Sequence, residues 1–438
     1  MHSSEKSLPH KTKPIHTQAH PGREPQHTHS CSNVAAPNCL GSLSKAMPRN
    51  RAFGVLRSGF EVMPPTTIEE TLRSNYAPAA GAQFASIIQR IFCMAVTPYR
   101  FSVGPWNLGR GADPFGPPVR PQVAFADVLK AAVKLGFEGI QLHDDDAVPD
   151  LEKLTHSQII REAEAMRGTL SDLGLTAEFV APRLWEHESG VDGGYTANDP
   201  AARKWAIERS KRAVDIAQAL GTDLIVMWPA REGTNVRESK NPVEASGQIL
   251  EAINAILGAH PKARIAIEPK PNEPVDHAFV PTIGHALALG ARCADPSRVG
   301  VLIESAHAIL AGLDPSDEMG FAVAAGKLWG VHLNDQNGLK FDQDKVFGAA
   351  NLRGAFDQVR VLEAANYAAT GCFIGFDVKA QRTQSADAAT AHLATSKAVF
   401  LRLVEKVRSF PHTAAQQCIK ARDYEALERL VLEHLLGG

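Results

Sequence analysis

Glu268 and Lys270 stand two positions apart in IAIEPKPNEP, residues 265–274, where an apolar run of β character stops against prolines at 269, 271 and 274. Residues i and i+2 of an extended chain point the same way, so a carboxylate and an ammonium leave one strand end on one side. Other apolar runs end in the same manner. One delivers HDDD, His143 to Asp146; another ends at Glu304 with His307 three positions on. A third carries His332 and Asn334 into NGLKFDQD with Asp342 and Asp344, and a fourth ends at Asp377 followed by Lys379. Tryptophans follow three more runs, at 106, 185 and 228. Carboxylates gathered in one place repel, and burying them costs several kcal/mol each unless cations compensate. Divalent metal ions are the economical compensation, ahead of a metal-free salt-bridge network. An oxygen-rich donor set with a few imidazoles suits Mg²⁺, Mn²⁺ or Co²⁺ better than a thiolate-bound metal.

These residues need elements that bring them together. From residue 100 short β-rich runs alternate with helical segments. The candidate strands are 101–104, 139–143, 177–181, 223–228, 264–268, 299–304, 329–334 and 372–377. Between them FADVLKAAVKLG, ARKWAIERSKRAVDIAQALG and GQILEAINAILGAH carry apolar residues at three- and four-residue spacing. Eight strands, each followed by a helix, predict an α/β fold: a (β/α)₈ TIM barrel over residues 100–408, with a short C-terminal helical arm over 409–438. No G-x-G-x-x-G follows the first strand, which removes the main support for a dinucleotide-binding sheet. Such a barrel carries its chemistry at the C-terminal ends of its strands, where the residues above fall.

The 438-residue chain has 44% hydrophobic and 21% charged residues, as a water-soluble globular protein does. A formal net charge of −2 gives no push toward nucleic acid or an anionic membrane. Six scattered cysteines without a C-x-x-C pair fit a reducing, cytoplasmic setting. No apolar run approaches the roughly 20 residues a bilayer span needs. Residues 1–62, rich in Pro, Ser, His and basic residues, read as a disordered leader rather than a metal-binding tail, although His2, His10, His16, His20, His27 and His29 lie there. Met47, Met63 and Met94 are alternative starts, and residues 63–99 form an N-terminal extension with one expected helix.

HDDD, DGGYTAND, WPAREG, AIEPKPNEP, PTIGHALA, AGKLWGVHLNDQNGLKFDQD and IGFDVK resemble, in order and spacing, the motifs of xylose isomerase, a metal-dependent aldose–ketose isomerase. The resemblance covers roughly residues 100–402, and DPFG at 113–116 is similar to the shorter, actinobacterial-type group. It implies two divalent ions, Mg, Mn or Co, bridged by Glu304. One would take Glu268, Glu304, His332 and Asp377; the other Glu304, His307, Asp342 and Asp344. It implies that His143, held by Asp146, assists sugar-ring opening and that Lys270 hydrogen-bonds the carbonyl oxygen at C1. Trp106 and Trp228 would wall the substrate, and Phe115 would reach into a neighbouring subunit's site. The implied reaction takes D-xylose to D-xylulose by a 1,2-hydride shift on the open-chain sugar, in a homodimer or homotetramer.

Three departures qualify the expectation. The family has Asp where this chain has His332; the family's wall-forming Phe aligns with Gly190, which predicts a wider pocket, with Trp185 as a partial replacement; and only 36 residues follow residue 402. A neutral imidazole in place of a carboxylate favours Mn²⁺, Co²⁺ or Zn²⁺ over Mg²⁺. His187 is expected at the surface or pocket rim, His285 in a structural helix turn, Lys379 beside the metal carboxylates, and Cys372 in buried packing. An isomerase or epimerase of another sugar is the alternative, and a non-catalytic sugar-binding paralogue is a further one.

Overall fold

The computed structural model describes residues 99–437 apart from 114, 230 and 340. The expected leader over 1–62 and the expected helix before residue 98 lie outside the described residues. Eight parallel strands close in the order β1-β10-β9-β8-β6-β4-β3-β2. They are β1 (Arg100–Val103), β2 (Gly139–His143), β3 (Thr176–Ala181), β4 (Leu224–Met227), β6 (Arg264–Ile267), β8 (Val299–Glu304), β9 (Leu328–Leu333) and β10 (Phe373–Phe376). The remaining pair, β5 (Gly233–Thr234) and β7 (His277–Ala278), forms an antiparallel ribbon that ties the segment after β4 to the segment after β6. This is the TIM barrel the strand–helix alternation predicts.

Local chemistry starts and stops the helices between strands. The helix Pro200–Leu220 begins where Asp199 accepts from Ala201 N, with Pro at its first position, and ends at Gly221 in the left-handed region. Asn241 and Thr282 cap Pro242–Ala259 and Ile283–Arg292 in the same way. Each helix then buries its apolar face on the barrel's outside. Val214, Ile216 and Leu220 do so for the first of them, each contributing ~1.5–3 kcal/mol.

Inside the barrel a separate small cluster of Phe179, Ala181, Val226, Ala266 and Leu302 forms the floor beneath the strand ends. Two register shifts, one between β2 and β3 and one between β8 and β9, alter which side chains face inward. The second leaves Glu304 directly opposite His332. Gly375, opposite His332 on β10, gives the ring room: a Cβ there would lie 2.4 Å from Gln141 Nε2 and 3.0 Å from His332 Cδ2. The helices His412–Ala421 and Tyr424–Leu436 follow the last barrel helix, held by an Arg353–Glu428 ion pair and the buried Val431.

Candidate active site

β4, β6, β9 and β10 each stop one residue before a sequence-predicted strand end. Trp228, Glu268, Asn334 and Asp377 therefore occupy the first position beyond the ladder. They line or adjoin a cavity of about 280 Å³ at the C-terminal mouth of the barrel. Its walls include Trp106, His143, Trp185, Trp228, Lys270 and Lys379, and its floor Phe179, Ala181 and Val226.

Glu304 is the centre of the charged group. Three sets of donor atoms lie within 4.8 Å of one another: Glu268, Glu304 and His307; Glu304, His332 and Asp377; and Glu304, Asp342 and Asp344. Glu304 belongs to all three. His307 Nε2 is 3.3 Å from Glu304 Oε1 and 3.2 Å from Asp342 Oδ2. His332 stays in the site, with Nδ1 3.1 Å from Glu268 Oε1. Asp335, beside it in sequence, turns away and accepts from the backbone N–H groups of Ala350 and Asn351. Asp344 holds a left-handed backbone, φ 47°, behind the cavity wall, strain of the kind kept at functional sites.

Electrostatics follow from this crowding. Burial, then Asp342, Asp377, Asp344 and Glu268, push the Glu304 carboxyl well above the usual range. Burial and then Asp342 raise Asp344 likewise. Burial alone would raise Asp342, yet Lys270, His307 and Lys379 outweigh it and hold that carboxyl well below its ordinary value. Burial would lower His332, but Glu268 and then Asp377 raise it to about 9. Two ammonium groups offset part of the charge: Lys270 Nζ lies 2.9 Å from Asp342 Oδ2, and Lys379 pairs with Asp344. Buried His307 Nδ1, His332 Nε2, Asp342 Oδ1 and Asp377 Oδ1 have no hydrogen-bond partner among the described residues. Buried, unpartnered ligand atoms on residues of a carboxylate-rich cluster fit a divalent cation.

The walls are held by ties between loops. Trp185 stands edge-on to Trp228 at 4.5 Å and to His143 at 5.3 Å. Arg231 Nε donates to Trp185 O over 3.2 Å. The next residue, Glu232, accepts from the backbone N–H groups of Gly194, Tyr195 and Thr196 and so binds the segment after β3 to that after β4.

The expectations for Gly190, as a missing pocket wall, and for Cys372, as buried packing, need correction, and the other residues fall as follows. Gly190 does not face the cavity: it closes a 3₁₀ turn, and a Cβ there would lie 1.8 Å from Leu184 O. No side chain fits the position, and Trp185 supplies that wall. His187 folds back, stacking on Trp205 at 4.5 Å and accepting from Ser189 N. Cys372 is half-buried ahead of β10. Phe115 is 82% exposed, touches Phe341 at 5.9 Å and does not line its own chain's cavity. His285 sits in the first turn of its helix, its ring on the capping Thr282.

Four further residues, none of them a strand-end group in the sequence, also line the cavity. Phe179 and Val226 lie two positions before predicted strand ends, and the two-residue period was their signal. Arg183 and Glu186 line the cavity from an irregular segment, where no periodicity points at them.

Among known proteins, the family described as xylose isomerase-like TIM barrel matches residues 129–396. Solved structures with the same fold include an L-ribulose 3-epimerase, with TM-score 0.52 and 14% identity, covering 71% of this chain and 96% of that one. The 3-keto-D-glucoside 4-epimerase of E. coli matches with TM-score 0.50 and 14% identity over 69% of this chain and 100% of its own. A zinc-bound IolI protein matches with TM-score 0.50 and 15% identity over 71% and 99%.

Proposed function

The chain belongs to the xylose isomerase-like TIM barrel family, and from that premise we propose that it is a divalent-metal-dependent sugar isomerase acting on an open-chain aldose, with D-xylose to D-xylulose as the first candidate reaction. The observation that carries this is Glu304: it is common to three sets whose donor atoms lie within 4.8 Å of one another, in an indole-walled cavity that also holds a buried lysine. In the proposed assignment Glu268, Glu304, His332 and Asp377 hold one ion, and Glu304, His307, Asp342 and Asp344 a second. Bound there, the ions supply charge stabilisation for two neighbouring substrate oxygens.

The chain's own residues do the rest. Lys270 donates to the oxygen that gains charge at C1, preorganised by burial and its ion pair with Asp342. Trp106, Trp185 and Trp228 exclude water, which favours hydride transfer within the sugar over proton exchange with solvent. His143 meets the cyclic sugar at the ring oxygen. We place the reaction in the cytoplasm and in a homodimer or homotetramer, in which the exposed Phe115 meets a second copy.

A second reading rests on Glu268 and Asp377. Both line the cavity, from strand ends separated by β8 and β9. Two carboxylates so disposed suit proton removal and return at a carbon next to a carbonyl, which is epimerisation. Turnover of a panel of aldoses and ketoses in D₂O separates the readings. Metal-stripped protein is reloaded with Mg²⁺, Mn²⁺, Co²⁺ or Zn²⁺ and products are followed by NMR. Aldose–ketose conversion without deuterium at carbon supports the hydride shift. Deuterated epimers support the second reading, and no turnover of any sugar with any ion overturns both.

A further inference from the structure

Arg183 follows β3 and reaches across to the turn after β2. Its Nη2 lies 2.6 Å from His143 Nδ1 and 2.9 Å from Asp146 Oδ1. Nε lies 3.1 Å from Asp145 Oδ1, and Nη1 3.3 Å from Glu186 Oε2. Asp146 Oδ2 is itself 2.9 Å from His143 Nδ1 and accepts from the His143 backbone N–H over 3.0 Å. One ring nitrogen therefore faces both an acceptor and a donor.

The donor decides the matter. A guanidinium has N–H groups only and keeps its proton at any working pH. Two N–H groups do not face each other across 2.6 Å. His143 Nδ1 must then offer its lone pair, and the hydrogen of the neutral ring lies on Nε2. Asp146 is satisfied without the ring, by Arg183 and by the backbone. His143 lines the cavity between Trp106, at 4.7 Å, and Trp185, at 5.3 Å. Nε2 is the nitrogen left to meet a substrate.

We propose that Arg183 is a positioning residue that sets the tautomer of His143, so that the site presents an N–H donor, and not a lone pair, to an acceptor oxygen of the substrate. What the donor meets rests on the sugar reading above; the tautomer does not. A ring or carbonyl oxygen satisfies such a donor, whereas an ammonium or other donor-only group does not. Arg183 thereby selects for oxygen acceptors at this wall.

The test is a two-bond ¹H–¹⁵N correlation spectrum of the full chain with ¹⁵N-histidine, at about pH 8, above the ordinary imidazole pKa. The His143 signal is identified by its loss in His143→Gln. The expected result is an Nε2–H pattern in the wild type that changes to Nδ1–H, donating to Asp146, in Arg183→Met. Asp146→Ala is expected to leave Nε2–H in place. An Nδ1–H pattern in the wild type overturns the proposal whatever the variants do. So does an unchanged pattern in folded Arg183→Met, or a switch in Asp146→Ala. The spectrum needs neither metal nor sugar, so its failure is separate from failure of the turnover assay.

Discussion

Asn334 Nδ2 lies 2.9 Å from Glu304 Oε1 and 3.1 Å from Asp344 Oδ1, so one buried amide joins two carboxyls that burial, and then the charge of Asp342, push well above the usual range. Its Oδ1 accepts from Ala306 N over 2.7 Å, which fixes the amide's orientation. Such a group sets where carboxylate oxygens point before an ion arrives. Asn334→Ala is expected to weaken divalent-ion binding by about 10–100-fold. Calorimetric titration of the metal-stripped protein measures this, and an unchanged dissociation constant would remove Asn334 from the site's machinery.

Metal-stripped protein is expected to lose stability as pH rises. His332, raised to about 9 from 6.5, binds its proton more tightly folded than unfolded. Its contribution is complete below pH 6.5 and is lost as pH rises through 9. Glu304 and Asp344, also raised, act with the same sign. The melting temperature of the stripped protein should therefore fall between pH 6.5 and 9, by the equivalent of at most about 3 kcal/mol from His332. Added Mn²⁺ should flatten the decline, since an ion replaces the proton as partner of Glu268 and Glu304. A stripped protein equally stable across that window would contradict this account of the cluster.

Lys270→Met should separate binding from chemistry. Lys270 faces Asp342 at 2.9 Å and sits 5.4 Å from the Trp228 ring. Its loss removes a preorganised donor, for which a fall in kcat of about 10²–10³-fold is expected. Metal content should not fall, because Asp342 loses a competing cation. Elemental analysis beside the kinetics checks both, and loss of metal with activity would make Lys270 structural.

At Gly190 stability and specificity come apart. Gly190→Ala drives a Cβ against the Leu184 carbonyl and should cost about 1–3 kcal/mol or more, read by chemical denaturation, with little change in sugar preference. Trp185→Ala should do the reverse, raising KM for small sugars and widening the range accepted. A stable Gly190→Ala protein with altered preference would restore Gly190 to the pocket wall.

The sequence by itself determined the barrel and most of the polar cluster. Period-two apolar runs that stop at Glu268, Glu304 and Asp377 need nothing distant to be read, because strand parity and strand termination are local properties. The helix starts at Asp199, Asn241 and Thr282 are legible for the same reason. The tertiary structure alone decided the rest. Closure of the barrel and the shift between β8 and β9 bring Glu304 opposite His332, two residues 28 positions apart in the chain. The path of residues 184–190 turns Gly190 onto the Leu184 carbonyl and away from the cavity, which its place in the sequence does not disclose. Arg183 meets His143 from 40 positions away. Contacts between irregular segments depend on where the strands beneath them end in space, and a linear pattern holds no record of that distance.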